Sequence, residues 1–438
     1  MTANPAVGGA PRDGRELGAE EKCALLLEIS RRSRGTLDLT ETLDTLLGAV
    51  GSVVDYDAAG IFALAEDLYP GRERPPGVIA GVARRGFEIR PVADDAMLSS
   101  GRGIVGHAIR TGQSVLVPDV SRDPRYVVGR NETRSELAVP VVVDGRTIAA
   151  LNVESDRLDA FDARDVGLLE FFAEAAAMAI EKAMLHRHLL DREHLETQLR
   201  IARDVQTGLL PAAAPVLPGY DLAGVCLPSL ELGGDYFDFL PLPDGRLGLV
   251  IADVAGKGVP AALVMATFRA LLRSRHDLGT RVDATVTEVG RLLRESAAPR
   301  QFVTCIYALL EPASGRLTYA SCGHPLAVLE RADGRLEELP NCGPALGVFG
   351  DAGHVERETT LAPGDRLVLF TDGLLEAANP AGEELGSGRL MAALAGSRGL
   401  SAAALVDELV AQVRAFTASP HLADDLTLLV LRRSVAQE

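Results

Sequence analysis

The run Leu247-Gly248-Leu249-Val250-Ile251-Ala252-Asp253 is an apolar segment that ends in an acid, and Val254-Ala255-Gly256-Lys257-Gly258 follows at once. A short apolar run bounded by turn residues is read as a buried strand. An acid at its mouth, beside glycines that let a ligand approach, is placed for a site rather than a core. The plan recurs in Arg366-Leu367-Val368-Leu369-Phe370-Thr371-Asp372-Gly373. Asp424-Asp425 then precedes the apolar run Leu426-Thr427-Leu428-Leu429-Val430, and Gly233-Gly234-Asp235-Tyr236 contributes a further acid. Asp253 and Asp372 end their strands whereas Asp424 begins one. They can share one edge only if the last strand runs antiparallel to the other two, which predicts an antiparallel or mixed sheet.

Carboxylates that converge in a cleft repel one another, and desolvation adds to the penalty. Either some of them hold protons or cations neutralise the site. Ligation by carboxylate, carbonyl and water suits hard ions such as Mg²⁺ or Mn²⁺ and not zinc, which prefers His and Cys. Two such ions roughly 3.5–4 Å apart hold a bridging water and lower its pKa from about 15.7 towards 7, giving a hydroxide able to attack phosphorus in line. A single Asp-Gly or Asp-Asp is usually a turn or cap. Four acids inside distinctive strings are read as a site.

Outside these strings the chain divides into regions. At 438 residues it exceeds one ordinary core, so two domains are expected. Residues 1–20 are small, polar and rich in Gly and Pro, and read as disordered without a signal core. Over 21–182 a mixed pattern appears: helices at Cys23–Ser33 and Leu37–Val54, and strands at Ala58–Ala65 and Gly77–Ala83. A hairpin turns on Asp144-Gly145 between Leu137–Val143 and Thr147–Val153. Helix resumes at Asp162 and continues to about Gly208. Over 183–210 one heptad phase collects Leu185, Leu195, Leu199, Ala202 and Leu209, with His188, Arg192 and Gln206 at the same seam. That pattern fits a single amphipathic helix or a parallel dimeric coiled coil. Three prolines in Pro211–Pro218 break it and open the last domain, 211–434. There, strands are expected at Phe302–Leu310 and Leu317–Ala320, and helices at Pro260–Arg275, Val282–Ser296 and Ser401–Ala415.

The net charge of −17 argues against nucleic acid or an anionic membrane as partner. No stretch of about 18 apolar residues predicts a membrane span. Five scattered cysteines form neither a disulfide framework nor a zinc spacing, and a cytoplasmic location is expected.

The C-terminal strings resemble the SpoIIE/RsbU branch of the metal-dependent (type 2C) serine/threonine protein phosphatases. The resemblance spans roughly residues 200–432. It runs from Ala202, Gln206, Leu209-Leu210-Pro211 and Gly233-Gly234-Asp235-Tyr236-Phe237-Asp238-Phe239, through Asp253 to Ala262, Phe302-Val303-Thr304 and Gly323-His324-Pro325. It closes with Pro363-Gly364-Asp365, Thr371 to Ala377, and Asp424-Asp425-Leu426-Thr427. Residues 21–182 resemble a GAF domain through Gly103-Ile104-Val105-Gly106, Pro118-Asp119-Val120, Asp123-Pro124-Arg125-Tyr126, Ser135 to Pro140 and Leu151 to Ser155. The resemblance implies an α+β chain: a GAF domain with an antiparallel sheet and helices, a helical linker, and an α-β-β-α sandwich. It implies two divalent cations, Mn²⁺ or Mg²⁺, with Asp253 bridging both and the Val254 carbonyl helping to bind one. Asp235 holds the second, and Asp372 and Asp424 complete the set. Asp238 and Asp425 are expected to support the ligands or face solvent. It also implies a phosphorylated anti-anti-sigma (STAS) protein as substrate, a homodimer, and a small-molecule or protein signal at the GAF domain.

Rival readings fit less. Gly233-Gly234-Asp235-Tyr236-Phe237 is similar to the GGDEF loop of diguanylate cyclases, but Tyr236 stands where an acid is needed and Asp253, Asp372 and Asp424 go unexplained. A Walker loop fails because Gly258 follows Lys257. A cysteine phosphatase fails because no cysteine has an arginine six residues on. The Cys322/His324 pair is read as a loop beside the active site. A degenerate, partner-binding domain is the non-enzymatic alternative. Between Cys23 and Cys226 there is no cysteine to hold a bilin or an iron–sulfur cluster, and His107 is read as ordinary structure rather than a haem ligand.

Overall fold

Strands with apolar residues on alternate positions must cover one or both faces, and the C-terminal unit shows how this is done. A computed structural model describes residues 38–64, 79–87, 102–276, 281–296, 301–325, 327–349, 353–419 and 422–435, with Gly18 and Ala24. Apart from Gly18 and Ala24, the expected disordered N-terminus and the Cys23–Ser33 helix lie outside those residues. The chain forms two compact units, 1–193 and 194–438.

In the first unit the described elements are α1 (Leu39–Val50), β1 (Ala58–Leu64), β2 (Ile79–Arg85), α2 (Gly103–Thr111), β3 (Val115–Val117), β4 (Ser135–Val143), β5 (Arg146–Ser155) and the start of α3 (Ala163–Thr207). The strands form one antiparallel sheet in the order β2-β1-β5-β4-β3. The Asp38 carboxylate caps α1 by accepting from the Thr40 and Glu41 amides. The predicted hairpin is present, and its turn residues take the left-handed region, with φ 49° at Asp144 and 74° at Gly145. Period-two alternation splits the sheet into two faces. Leu137, Val139, Val141, Leu151 and Val153 pack with α1 and α3, whereas Ala138 and Ala150 face α2 and β3.

The second unit begins within α3. It continues with β6 (Tyr220–Leu227), β7 (Tyr236–Pro241), β8 (Leu247–Val254), α4 (Val259–His276), α5 (Val282–Ser296), β9 (Val303–Glu311), β10 (Arg316–Cys322), β11 (Ala327–Glu330), β12 (Leu336–Leu339) and β13 (Arg357–Thr360). β14 (Arg366–Phe370), the short α6 (Asp372–Leu375), α7 (Gly386–Gly396), α8 (Ala402–Thr417) and β15 (Leu426–Arg433) complete it. Two five-stranded antiparallel sheets, β13-β10-β9-β8-β7 and β12-β11-β14-β15-β6, make the sandwich. Leu367, Leu369, Leu429 and Leu431 point to the other sheet and share its core with Phe268 and Val286 of the α4/α5 layer. Their neighbours Val368, Phe370, Leu428 and Val430 point outward to Leu390, Leu405 and Leu409 of the α7/α8 layer. The architecture is α-β-β-α, as the resemblance implied. β15 pairs antiparallel with β14, as the placement of Asp372 and Asp424 required. β8 lies in the opposite sheet, so Asp253 meets those acids across the sandwich and not along one sheet edge.

Candidate active site

Each acid sits where a strand of the sandwich reaches the same end. Asp235 immediately precedes β7, Asp253 is the penultimate residue of β8, Asp372 opens α6 directly after β14, and Asp424 lies just ahead of β15. Glycines permit the convergence. A Cβ on Gly234 would stand 2.9 Å from the Val254 carbonyl oxygen, and one on Gly373 would stand 1.9 Å from the carbonyl of Asp425.

The acids feel one another's charge. Burial, then the charges of Asp372, Asp424 and Asp425, push the Asp253 carboxyl up to about 7, and a hydrogen bond with Asp235 opposes the rise. Asp235 is held well above the ordinary carboxylate range by burial and by Asp253. Asp372 is raised by burial and by Asp424. Asp424 lies 3.0 Å from the Lys257 ammonium, which also donates to the Ala423 carbonyl at 2.8 Å. Lys257 belongs to the Gly256-Lys257-Gly258 string that the sequence singled out.

Around the acids stands a set of buried hydrogen bonds. The Thr371 hydroxyl donates to Asp235 Oδ2 at 2.8 Å and accepts from the Thr427 amide at 3.0 Å. Asp425 is buried and accepts from the Ser229 amide and hydroxyl at 2.7 and 2.9 Å and from the Gly234 amide at 2.7 Å. Asp238 is buried beneath α4, where it accepts from Arg273, from the Phe239 amide and from the Tyr236 hydroxyl. Neither acid faces solvent, which corrects half of the expectation for them: strand residues facing a packed layer are covered whatever their polarity.

Two further residues position the site. His324 Nε2 is 3.1 Å from the Phe370 carbonyl, which can only accept, so Nε2 carries the proton and Nδ1 accepts from the Thr304 hydroxyl at 2.8 Å. Thr304 pairs with Asp253 across the sheet, so His324 braces the strand ends bearing Asp253 and Asp372. It lies in the loop between β10 and β11, beside the site as read from the sequence, and its ring bonds add a positioning role. Gln206, expected at the seam of the long helix, instead turns its carboxamide onto the Gly233 peptide. Its Nε2 donates to the Gly233 carbonyl at 2.7 Å and its Oε1 accepts from the Gly233 amide at 3.2 Å. The resemblance includes both Gln206 and His324, but not these contacts, which depend on the backbone groups that the fold brings near. A groove of about 640 Å³ between β6 and α8, lined by Ala223, Val406 and Arg414, involves none of the four acids.

Among the described residues no three His, Cys, Asp or Glu side chains are gathered tightly enough to hold an ion as they stand. The donor chemistry nevertheless fits hard cations. The set is all oxygen, its carboxyls are raised by burial and then by one another's charge, and Lys257 is paired with Asp424. Asp235, Asp253, Asp372, Asp424 and the Val254 carbonyl would hold such ions.

A GAF-type sheet followed by an α-β-β-α sandwich with acids at one end defines a two-domain, phosphatase-type chain. The chain carries a SpoIIE-type domain in its C-terminal part and a GAF-type domain in its N-terminal part. Residues 243–434 match the family model for stage II sporulation protein E (SpoIIE), and residues 36–181 match that for the GAF domain. The chain is 28% identical over 247 residues to the phosphoserine phosphatase RsbU of Bacillus subtilis, covering 56% of this chain and 72% of that protein. It is 28% identical over 152 residues to the phosphoserine phosphatase RsbP of the same organism, covering 34% of this chain and 38% of that one. A solved structure of the RsbU and RsbW domains of Rv1364c from Mycobacterium tuberculosis is 30% identical with a TM-score of 0.46, over 52% of this chain and 64% of that chain.

Proposed function

We propose that the chain is a signal-regulated phosphoserine/phosphothreonine protein phosphatase working with two divalent cations, Mn²⁺ or Mg²⁺. The observation that carries this reading is the convergence of Asp235, Asp253, Asp372 and Asp424 at one end of the sandwich, where burial and then the neighbouring charges raise the Asp253 carboxyl. Similarity to the phosphoserine phosphatases RsbU and RsbP supports the substrate class. Bound divalent ions supply an acidified water and spread the charge that develops on a phosphoryl group. The chain's own residues do the holding. Thr371 fixes the Asp235 carboxylate, Asp425 pins the Gly234 amide, and His324 keeps the strand ends bearing Asp253 and Asp372 in register. Lys257, beside Asp424 and half exposed, is placed to meet an incoming phosphate.

A phosphorylated anti-anti-sigma (STAS) protein is the proposed substrate, dephosphorylated in partner switching. The GAF domain is the proposed receiver of the signal, and the Leu185–Leu209 stretch is the proposed route. Leu185 and Leu195 are exposed on that helix, which supports pairing in a homodimer. Movement of α4, which follows Asp253 and reaches Asp238 through Arg273, would then make or break the site. Among the described residues no helix is long and apolar enough to cross a membrane.

The test is manganese-dependent hydrolysis of p-nitrophenyl phosphate and of a phosphoserine peptide, by the parent and by Asp253→Asn. The variant should lose about 100-fold or more. Unchanged hydrolysis would remove the carboxylate mechanism, and inert parent protein would favour a partner-binding domain. Cyclic dinucleotide from GTP would favour the cyclase reading.

A further inference from the structure

Among the described residues Cys305, Cys322 and Cys342 are buried thiols of the catalytic domain that the reading above does not use. Two of them face each other. Cys305 on β9 and Cys322 on β10 are directly opposed in the antiparallel ladder, and both are fully buried. Opposed side chains on such a ladder lie about 4.5–5.5 Å apart at Cβ, and the Cys322 thiol engages that of Cys305. Both belong to the core shared with α4 and α5. Alternation turns them away from Thr304 and Asp253, which face the other side of the same sheet.

A base completes the group. His354 stands against Cys322. Its Nε2 is 2.9 Å from the Pro344 carbonyl, which can only accept, so Nε2 carries the proton and Nδ1 is the ring's acceptor. The Thr287 hydroxyl lies 3.4 Å from Nδ1, a long hydrogen bond, and the Cys322 thiol is a second donor against the ring. The ring fits there because residue 343 is glycine: a Cβ would stand 2.7 Å from His354 Cδ2. The Cys342 amide donates to the Ser321 carbonyl at 2.8 Å and the Gly323 amide to the Gly343 carbonyl at 2.9 Å, which fastens that segment beside Cys322. Contact with Cys305 and then burial hold the Cys322 thiol well above its ordinary range, and His354 opposes the rise. Cys322 is therefore a thiol at rest, and its proton needs an acceptor before the sulfur can attack. A nucleophile, a base and a carbonyl that orients the base are the parts of an activated thiol.

We propose that Cys322 and Cys305 form an oxidation site for a peroxide, with His354 as the base that frees the Cys322 sulfur. Cys322 passes its proton to His354 Nδ1, and its sulfur attacks one peroxide oxygen. The O–O bond breaks, a sulfenic acid forms on Cys322, and the other oxygen leaves as water with the proton returned by the imidazolium. The Cys305 thiol then displaces the sulfenic hydroxyl, which departs with the Cys305 proton as a second water, and the S–S bond closes. Two thiols are oxidised and one peroxide is reduced to two waters. Both sulfurs are buried, so the reaction proceeds through local opening and the site responds slowly. Closure draws the two Cβ atoms to about 3.8 Å. The pull falls next to Thr304 and two residues before His324, whose mutual hydrogen bond braces the strand ends at the acids. The oxidation does not rest on the phosphatase reading; only its effect on the acids does.

The test treats reduced full-length protein with hydrogen peroxide, denatures it and counts N-ethylmaleimide adducts by mass spectrometry. The chain has five cysteines, so five adducts should fall to three, and a reducible cross-link should join the peptides of Cys305 and Cys322. Cys305→Ser should stop at a sulfenic acid that dimedone traps on Cys322, whereas Cys322→Ser should give neither product. His354→Gln keeps a donor for the Pro344 carbonyl and loses the base. Its oxidation should be slower by about 10-fold or more at pH 7, and the gap should narrow at alkaline pH, where the thiol ionises unaided. Circular dichroism checks that the variants fold, and the adduct count of the parent needs no variant. By calorimetry the oxidised parent should bind manganese several-fold more weakly, with recovery after reduction. Five adducts after peroxide, a cross-link to Cys23, Cys226 or Cys342 in place of the pair, or equal oxidation rates with and without His354 overturns the proposal. Equal manganese affinity in oxidised and reduced parent overturns its link to the acids. Phosphate hydrolysis is not read, so either failure is separate from failure of the phosphatase reading.

Discussion

Lowering the pH should loosen the catalytic domain through His324. Burial pushes this imidazole down to about 4 from its ordinary 6.5, against the hydrogen bonds at Phe370 and Thr304. Its neutral form, protonated on Nε2 alone, is thus the folded form. A base with a lowered folded pKa contributes stability that is present above the unfolded value and lost as pH falls from 6.5 through 4. The full difference, about 2.5 units, corresponds to about 3 kcal/mol at 1.36 kcal/mol per unit, and about 2 kcal/mol of it should disappear between pH 7 and pH 5. His324→Gln removes the titration but keeps one donor for the Phe370 carbonyl and one acceptor for the Thr304 hydroxyl. Urea unfolding followed by far-UV circular dichroism at pH 7, 6 and 5 should show the parent losing about 2 kcal/mol more than the variant over that span. Parallel losses in the two proteins would refute the brace, because His324 would then titrate alike folded and unfolded.

Other outcomes can be checked with the same protein. Gln206→Ala removes both bonds to the Gly233 peptide, about 0.5–1.5 kcal/mol each, and should raise the manganese concentration needed for half-maximal hydrolysis several-fold; an unchanged titration argues against the clamp. Asp238→Asn weakens the contact with Arg273, whose side chain is 43% exposed. The charge term is therefore discounted to a loss of about 1–3 kcal/mol, read as a lower melting temperature. Glu136→Gln should flatten stability against pH in the GAF domain. A carboxyl raised in the fold stabilises below its unfolded value and loses that contribution as pH rises, so the parent should weaken above pH 4.5 while the variant does not.

Much of the catalytic sandwich was legible because its central strands are covered on both faces. β8, β9, β14 and β15 read as near-continuous apolar runs, and α5 appears at its predicted limits, Val282–Ser296. The strands that escaped notice carry weaker patterns. β7 has Asp238 at its middle and ends in Pro241, which an edge strand tolerates. β12 and β13 are four residues each at sheet edges and largely polar. α7 starts in Gly386-Ser387-Gly388, a poor helix signal overridden by packing of Leu390 and Leu394. At the site the four acids could be named because strand ends and glycines frame them. Thr371, Ser229 and His324 could not, since their roles depend on which backbone groups another sheet brings near. The same holds for Cys305 and Cys322, which face each other only once β9 and β10 pair.

The 45 residues of α3 form a rod about 68 Å long at 1.5 Å per residue. Its last turn ends in a carboxamide gripping one peptide, two residues ahead of Asp235. A side chain about 6 Å from a helix axis sweeps about 3 Å when the helix rolls by 30°. A roll of that size would displace the Gln206 carboxamide by about the length of one hydrogen bond.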